Sequence, residues 1–80
     1  MIVEKGRIAT KLLGREASKI CAIVERIDKN YVMVIGPEVR KRRCNIDHLE
    51  LQDRILDLPD GASDDDFINE LTKITHESAN

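Results

Sequence analysis

Apolar positions in the first part of the chain fall in short runs, each broken by polar or turn-forming residues. "GRIATKLL", opening at Gly6, places Ile8 and Thr10 on one side of an extended backbone with mixed neighbours on the other, which predicts a short strand. "KICAIVERI", from Lys19 to Ile27, carries the β-branched residues Ile20, Ile23, Val24 and Ile27 and is apolar on both faces at its middle. It predicts a strand covered from both sides. "DKN" at Asp28 to Asn30 reads as a turn and "YVMVI" from Tyr31 to Ile35 as the return strand; "GPEV" is a second turn leading into a further strand, "RKRRCNI". Two linked hairpins result. Strands so short and closely spaced predict a small barrel rather than an open sheet, because closure removes exposed edges.

The pattern changes at "LPDGASDDDF". Pro59, Asp60 and Gly61 interrupt the chain, and Ser63 can accept a hydrogen bond from the following turn; Asp64, Asp65 and Asp66 stand where the positive end of a helix dipole favours acids. A helix is predicted from Asp64. Phe67, Leu71 and Ile74, with Ile68 beside them, form one apolar stripe at helical spacing, while Lys73 and His76 fall toward the C-terminal end. The stripe must be covered, and the side of a small barrel is its expected cover. The predicted fold is mainly β with one C-terminal helix. Residues 1–58 form the barrel and 59–80 supply a turn and an amphipathic acidic helix packed on it, one domain overall.

Charge sharpens this picture. The formal net charge is only −2, yet Arg40, Lys41, Arg42 and Arg43 follow one another at the start of the last predicted strand. From Met1 to Glu50 there are 11 Lys and Arg against 7 Asp and Glu, an excess of +4; from Leu51 to Asn80 there are 2 against 8, an excess of −6. A basic portion of this kind suits a polyanion, and the acidic portion would be repelled by it. Alternation along "RKRRCNI" puts Arg40, Arg42, Cys44 and Ile46 on one face and Lys41, Arg43 and Asn45 on the other. Cys44 and Ile46 select the core face. Lys41 and Arg43 then project to solvent, with Arg40 and Arg42 turning outward at the barrel's rim. Phosphates suit such a cluster, because arginine's fork holds two oxygens and each neutralised phosphate releases counterions. The loop "KLLGREASK" adds Lys11, Arg15 and Lys19 around Gly14, where a glycine allows a tight turn or close approach of the main chain to a nucleic-acid backbone.

Size and composition remove competing functions. A chain of 80 residues buries only about 60% of its unfolded surface, so a deep substrate cleft is not expected. Cys21 and Cys44 are too few for a disulfide framework and form no C-x-x-C pair. Free thiols and the lack of a long apolar run predict a cytoplasmic protein without a membrane segment. Tyr31 and Phe67 are the only aromatic residues, too few to line a groove for proline-rich or methylated ligands, and their scarcity argues against sequence-specific reading of splayed single strands, which relies on bases stacking on aromatic rings. Recognition of backbone and shape is what remains. Cys44 lies four residues before His48, but with no evident pocket neither this pair nor His76 reads as catalytic, and three consecutive acids point different ways around a helix rather than toward one metal. No catalytic residue, metal ligand, cofactor or small-molecule substrate is assigned.

"GRIATKLLGREASKICAIVERIDKNYVMVIG", followed by "KRRCNIDHLE" and "GASDDD", resembles the archaeal and eukaryotic large-subunit ribosomal protein fourteen family in its short archaeal form, and the first part is similar to a KOW motif. The resemblance runs from about Gly6 to about Asp66. It implies an SH3-like barrel bound to large-subunit ribosomal RNA, with the Gly14 loop and the Lys41 to Arg43 run on the RNA side. Ser18 departs from the family's frequent glycine, which would stiffen the loop, and Leu51 from its frequent proline. The expected function is a structural, non-enzymatic constituent of the large ribosomal subunit in the cytoplasm, contacting ribosomal RNA and neighbouring ribosomal proteins. Its expected RNA-binding residues are Lys11, Gly14, Arg15, Lys19, Arg40, Lys41, Arg42, Arg43, Asn45 and His48. The alternative is a KOW-type RNA-binding or transcription-associated module outside the ribosome.

Overall fold

The computed structural model describes residues 4–59 and 61–78, with side chains as far as Thr75; Asp60 and the side chain of His76 lie outside the described residues. Five strands form one antiparallel sheet: β1 (Arg7–Lys11), β2 (Ile20–Arg26), β3 (Tyr31–Gly36), β4 (Val39–Asn45) and β5 (Leu49–Ile55), in the order β4-β3-β2-β1-β5. Among the described residues one α-helix, α1 (Asp64–Ser78), follows. The two predicted hairpins are both present. The Asp28 carboxylate closes the first by accepting from the amides of Asn30 and Tyr31 at 2.8 and 2.9 Å, and Pro37 and Glu38 turn the second between paired Gly36 and Val39.

The sheet has two apolar faces, and each makes its own core. Ala9, Cys21, Ile23, Val32, Val34, Val39, Cys44 and Leu49 share one cluster, which draws on all five strands, including the two at the sheet's edges. A flat sheet could not bring its edge strands into one core, so the sheet is rolled into a small barrel-like form. Irregularities in three ladders, at Arg7/Ala9, Ile23/Glu25 and Val34/Gly36, supply local bends that rolling needs. Gly36 sits where strands crowd: a Cβ there would collide with the Ile20 carbonyl.

The outer face carries Ile8, Ala22 and Ile35, covered by Leu56, Phe67 and Leu71. This explains why "KICAIVERI" is apolar on both sides: Cys21 and Ile23 look into the roll while Ala22 looks out toward the helix. Helix α1 begins at Asp64, as predicted. Its start is capped reciprocally, Ser63 Oγ accepting from the Asp66 amide at 3.3 Å and the Asp66 carboxylate accepting from the Ser63 amide at 3.0 Å. Phe67 and Leu71 are 1% and 0% exposed, each contributing roughly 1.5–3 kcal/mol of burial.

Two details of the last strands differ from the sequence reading. Strand β4 ends at Asn45, and Ile46 opens a short 3-10 turn, Ile46–His48, where it is only partly buried against the inner core. The Asn45 side chain ends the strand by accepting from the Asp47 amide at 2.9 Å. Alternation also fails along β4, since Val39 and Cys44 are both buried in the inner core although four residues, an even number, stand between them. The irregularity between Val34 and Gly36 absorbs the extra residue. Beyond the turn, β5 runs from Leu49 to Ile55, pairs with β1 and places Leu51 opposite Ala9.

Candidate nucleic-acid interface

Strand β4 and the loop between β1 and β2 meet at one end of the roll, and the Glu16 carboxylate joins them. One oxygen accepts from Lys11 Nζ at 3.1 Å and lies 3.5 Å from Arg42 Nε; the other accepts from the backbone amide of Arg40 at 2.9 Å. The Glu16 side chain is 13% exposed. Burial alone would raise its carboxyl pKa, but the Arg40 amide, Lys11 and Arg42 more than offset that and hold it below the ordinary value. Glu16 therefore stays ionised and pins the loop to the basic strand.

The loop backbone is closed by the Ser18 amide donating to the Lys11 carbonyl at 2.7 Å and the Leu12 amide donating to the His48 carbonyl at 2.9 Å. Gly14 has φ +90° with nothing within 4 Å of where a Cβ would stand, so the left-handed backbone, not crowding, calls for glycine. Ser18 occupies the same region at φ 71° while carrying a side chain. A glycine at this position is the residue the backbone prefers.

Two adjoining clefts open on this end. Gly14, Arg15, Glu16, Arg40 and Arg42 line one, and Leu13, Tyr31, Arg43, Asn45 and His48 are on the walls of the other, with Lys11 beneath both. Arg15 and Arg40 are exposed, and among the described residues neither guanidinium has an acidic partner. Arg42, opposite Val34, leans outward over Glu16 with its side chain 49% exposed. The Arg43 guanidinium lies over the Tyr31 ring, 4.8 Å from its centroid.

The three lysines among the sequence-predicted residues are all engaged by acids, Lys41 while remaining exposed as expected. Lys11 is 7% exposed and its ammonium is engaged by Glu16, so it supports the loop from below rather than facing solvent. Lys19 pairs with Glu38 at 3.2 Å on the flank beside α1, and Lys41 turns to the helix and pairs with Asp64 at 3.1 Å. The other seven, Gly14, Arg15, Arg40, Arg42, Arg43, Asn45 and His48, all line the two clefts. Sequence reasoning missed Glu16 as the organiser. Its signal was a lone acid inside a loop holding Lys11, Arg15 and Lys19. The thiols take no part: burial pushes Cys21 up to about 12 and raises Cys44, which leaves both inert at neutral pH. Among the described residues, no helix is long and apolar enough to cross a membrane.

No protein-family model matches the chain. Individual relatives do. A large ribosomal subunit protein eL14 from Aeropyrum pernix is 49% identical over 74 residues, covering 88% of this chain and 74% of the relative. One from Methanococcus vannielii is 51% identical over 61 residues, covering 76% and 78%, and one from Staphylothermus marinus is 43% identical over 70 residues, covering 82% and 73%. At these identities and over this much of each sequence, the chain belongs to the family of large ribosomal subunit protein eL14.

Proposed function

We propose that the chain is a structural constituent of the large ribosomal subunit that grips ribosomal RNA with the β4 rim and the Gly14 loop. The family is one of ribosomal structural proteins, not enzymes. The observation that carries the RNA contact is the gathering of Arg40, Arg42 and Arg43 from strand β4 and Arg15 from the Gly14 loop around two adjoining clefts, with Glu16 as the one acid among the described lining residues. Guanidinium groups held this way suit phosphate oxygens, and backbone contact of this kind needs no base sequence. The acidic helix lies on the outer face and is best turned toward cationic neighbouring proteins or solvent. The protein would act in the cytoplasm, on the ribosome.

A salt titration of binding to large-subunit ribosomal RNA tests this. Arg40→Gln is expected to weaken binding and reduce the slope of log affinity against log salt by about one, with no change in melting temperature. An unchanged slope would remove Arg40 from the interface. Co-sedimentation with large subunits through a high-salt wash is expected, and absence from ribosomes would leave an RNA-binding module acting elsewhere.

A further inference from the structure

The second cleft has a composition that phosphate binding does not explain. Its walls combine an aromatic ring, a guanidinium lying over it, an amide, an imidazole and an exposed leucine. We propose that this cleft takes one unstacked nucleobase of a folded RNA, stacked on the Arg43 guanidinium and hydrogen-bonded by Asn45; the inference rests on the RNA reading of the rim.

Arg43 and Tyr31 come from neighbouring strands whose register is set by the pairs Met33↔Arg43 and Tyr31↔Asn45. A guanidinium over a ring has its outer side free for a second flat group, and nucleobases stack on arginine planes as they do on aromatic rings. Asn45 supplies direction. Its oxygen accepts from the Asp47 amide, which fixes the orientation of the side chain and leaves its NH₂ as a donor in the cleft. Base carbonyls and ring nitrogens are the acceptors such a donor needs. Leu13 is 57% exposed, an unusual apolar side chain on a basic rim, and it would cover the edge of a base or its sugar. The cleft encloses about 460 Å³, within the roughly 300–1,000 Å³ of small-ligand sites. With a single ring and a single stacked guanidinium, it can hold one base and not a row, so the ligand is an unpaired nucleotide projecting from a helix whose phosphates meet Arg40 and Arg42 next door.

Two RNA hairpins of the same stem test this, one fully paired and one with a single bulged adenosine. Tyr31 is the only tyrosine and there is no tryptophan, so intrinsic fluorescence reports on this cleft alone. The bulged hairpin is expected to bind about tenfold more tightly and to quench Tyr31. Arg43→Lys keeps the charge but removes the plane; it is expected to abolish the preference, weakening the bulged hairpin about tenfold more than the paired one. Leu13→Ser, at an exposed loop position, is expected to reduce the preference without affecting folding. Equal binding of the two hairpins by the unaltered protein, with normal salt dependence, would overturn the base site and leave the phosphate reading standing. Retention of the preference by Arg43→Lys would overturn it as well. Failure to bind either hairpin at low salt would overturn both readings together.

Discussion

At the β4 rim, charged side chains stand above an inner core that strand pairing already encloses; on α1, they stand on the back of a stripe that is itself half of the outer core. The rim concentrates cations and keeps one acid, Glu16, to hold them in place. The helix concentrates acids, three in its first turn, where the dipole and the Ser63 cap favour them. Charged residues thus gather on the rim proposed to bind RNA in one region and start a helix in the other. It follows that substitutions at the rim are expected to change binding more than folding, and substitutions under the helix to do the reverse.

The largest effect that could break this contrast lies under the helix. Phe67→Ala is expected to cost about 3–5 kcal/mol and Leu71→Ala about 2–5 kcal/mol, measured by urea unfolding. Truncation before Ala62 is expected to leave Ile8, Ala22 and Ile35 uncovered and to lower the melting temperature further. A truncated chain that melted with the full one would make α1 a free arm, and the two regions would no longer divide labour.

Glu16 is next, because it is the one rim residue expected to matter to both folding and binding. Removing its charge leaves the Lys11 ammonium, 9% exposed at its side chain, without a carboxylate partner, and Glu16→Gln is expected to cost roughly 1–3 kcal/mol. Since the folded carboxyl titrates below its unfolded value, Glu16 contributes stability that is present above the ordinary value of 4.5 and lost as pH falls through the folded one. Unfolding curves from pH 6 down to about 3 are therefore expected to fall less steeply for Glu16→Gln than for the unaltered protein. Parallel curves would show that Glu16 does not organise the loop.

The outer core was easier to read in the sequence than the rim. Local rules act on the helix: Ser63, the aspartates and the spacing of Phe67, Leu71 and Ile74 all report on neighbours a turn away. The first three strands and their turns were legible for the same reason. Strand β5 was not, because Asp53 breaks the alternation that Leu49, Leu51 and Ile55 otherwise keep, and its partner β1 lies some forty residues earlier. At the rim, sequence pointed to the right segments but not to the partners of individual cations. Nothing local says that Lys41 meets Asp64 or that Arg42 meets Glu16, since both contacts depend on how the sheet rolls. Likewise the bulge near Gly36 shifts the parity of β4, which alternation counted from Cys44 cannot anticipate.

Ser18 offers a gain rather than a loss. Its φ of 71° lies in the left-handed region, which disfavours a side chain by roughly 1–2 kcal/mol. Ser18→Gly relieves that strain but adds freedom to the unfolded chain, so a net stabilisation of about 1 kcal/mol is expected. RNA affinity is expected to stay the same, because the Lys11 carbonyl still receives the amide of residue 18. A loss of stability would mean that the loop depends on the serine side chain itself.

The smallest effect tests the boundary between the two regions. Lys41 and Asp64 join the basic strand to the first turn of the acidic helix at 3.1 Å, with side chains 44% and 48% exposed. A pair so open to water is screened, and a double-mutant cycle with Lys41→Gln and Asp64→Asn is expected to give a coupling of about 0.2–1 kcal/mol that fades with added salt. Binding supplies the sharper reading. If Lys41 belongs to the helix side, as its partner indicates, Lys41→Gln is expected to reduce the salt slope for ribosomal RNA by less than Arg40→Gln does. Equal slopes for the two variants would mean that RNA draws Lys41 away from Asp64 on binding. The interface would then extend along β4 to the helix, and Asp64→Asn would be expected to tighten binding by freeing Lys41 in advance.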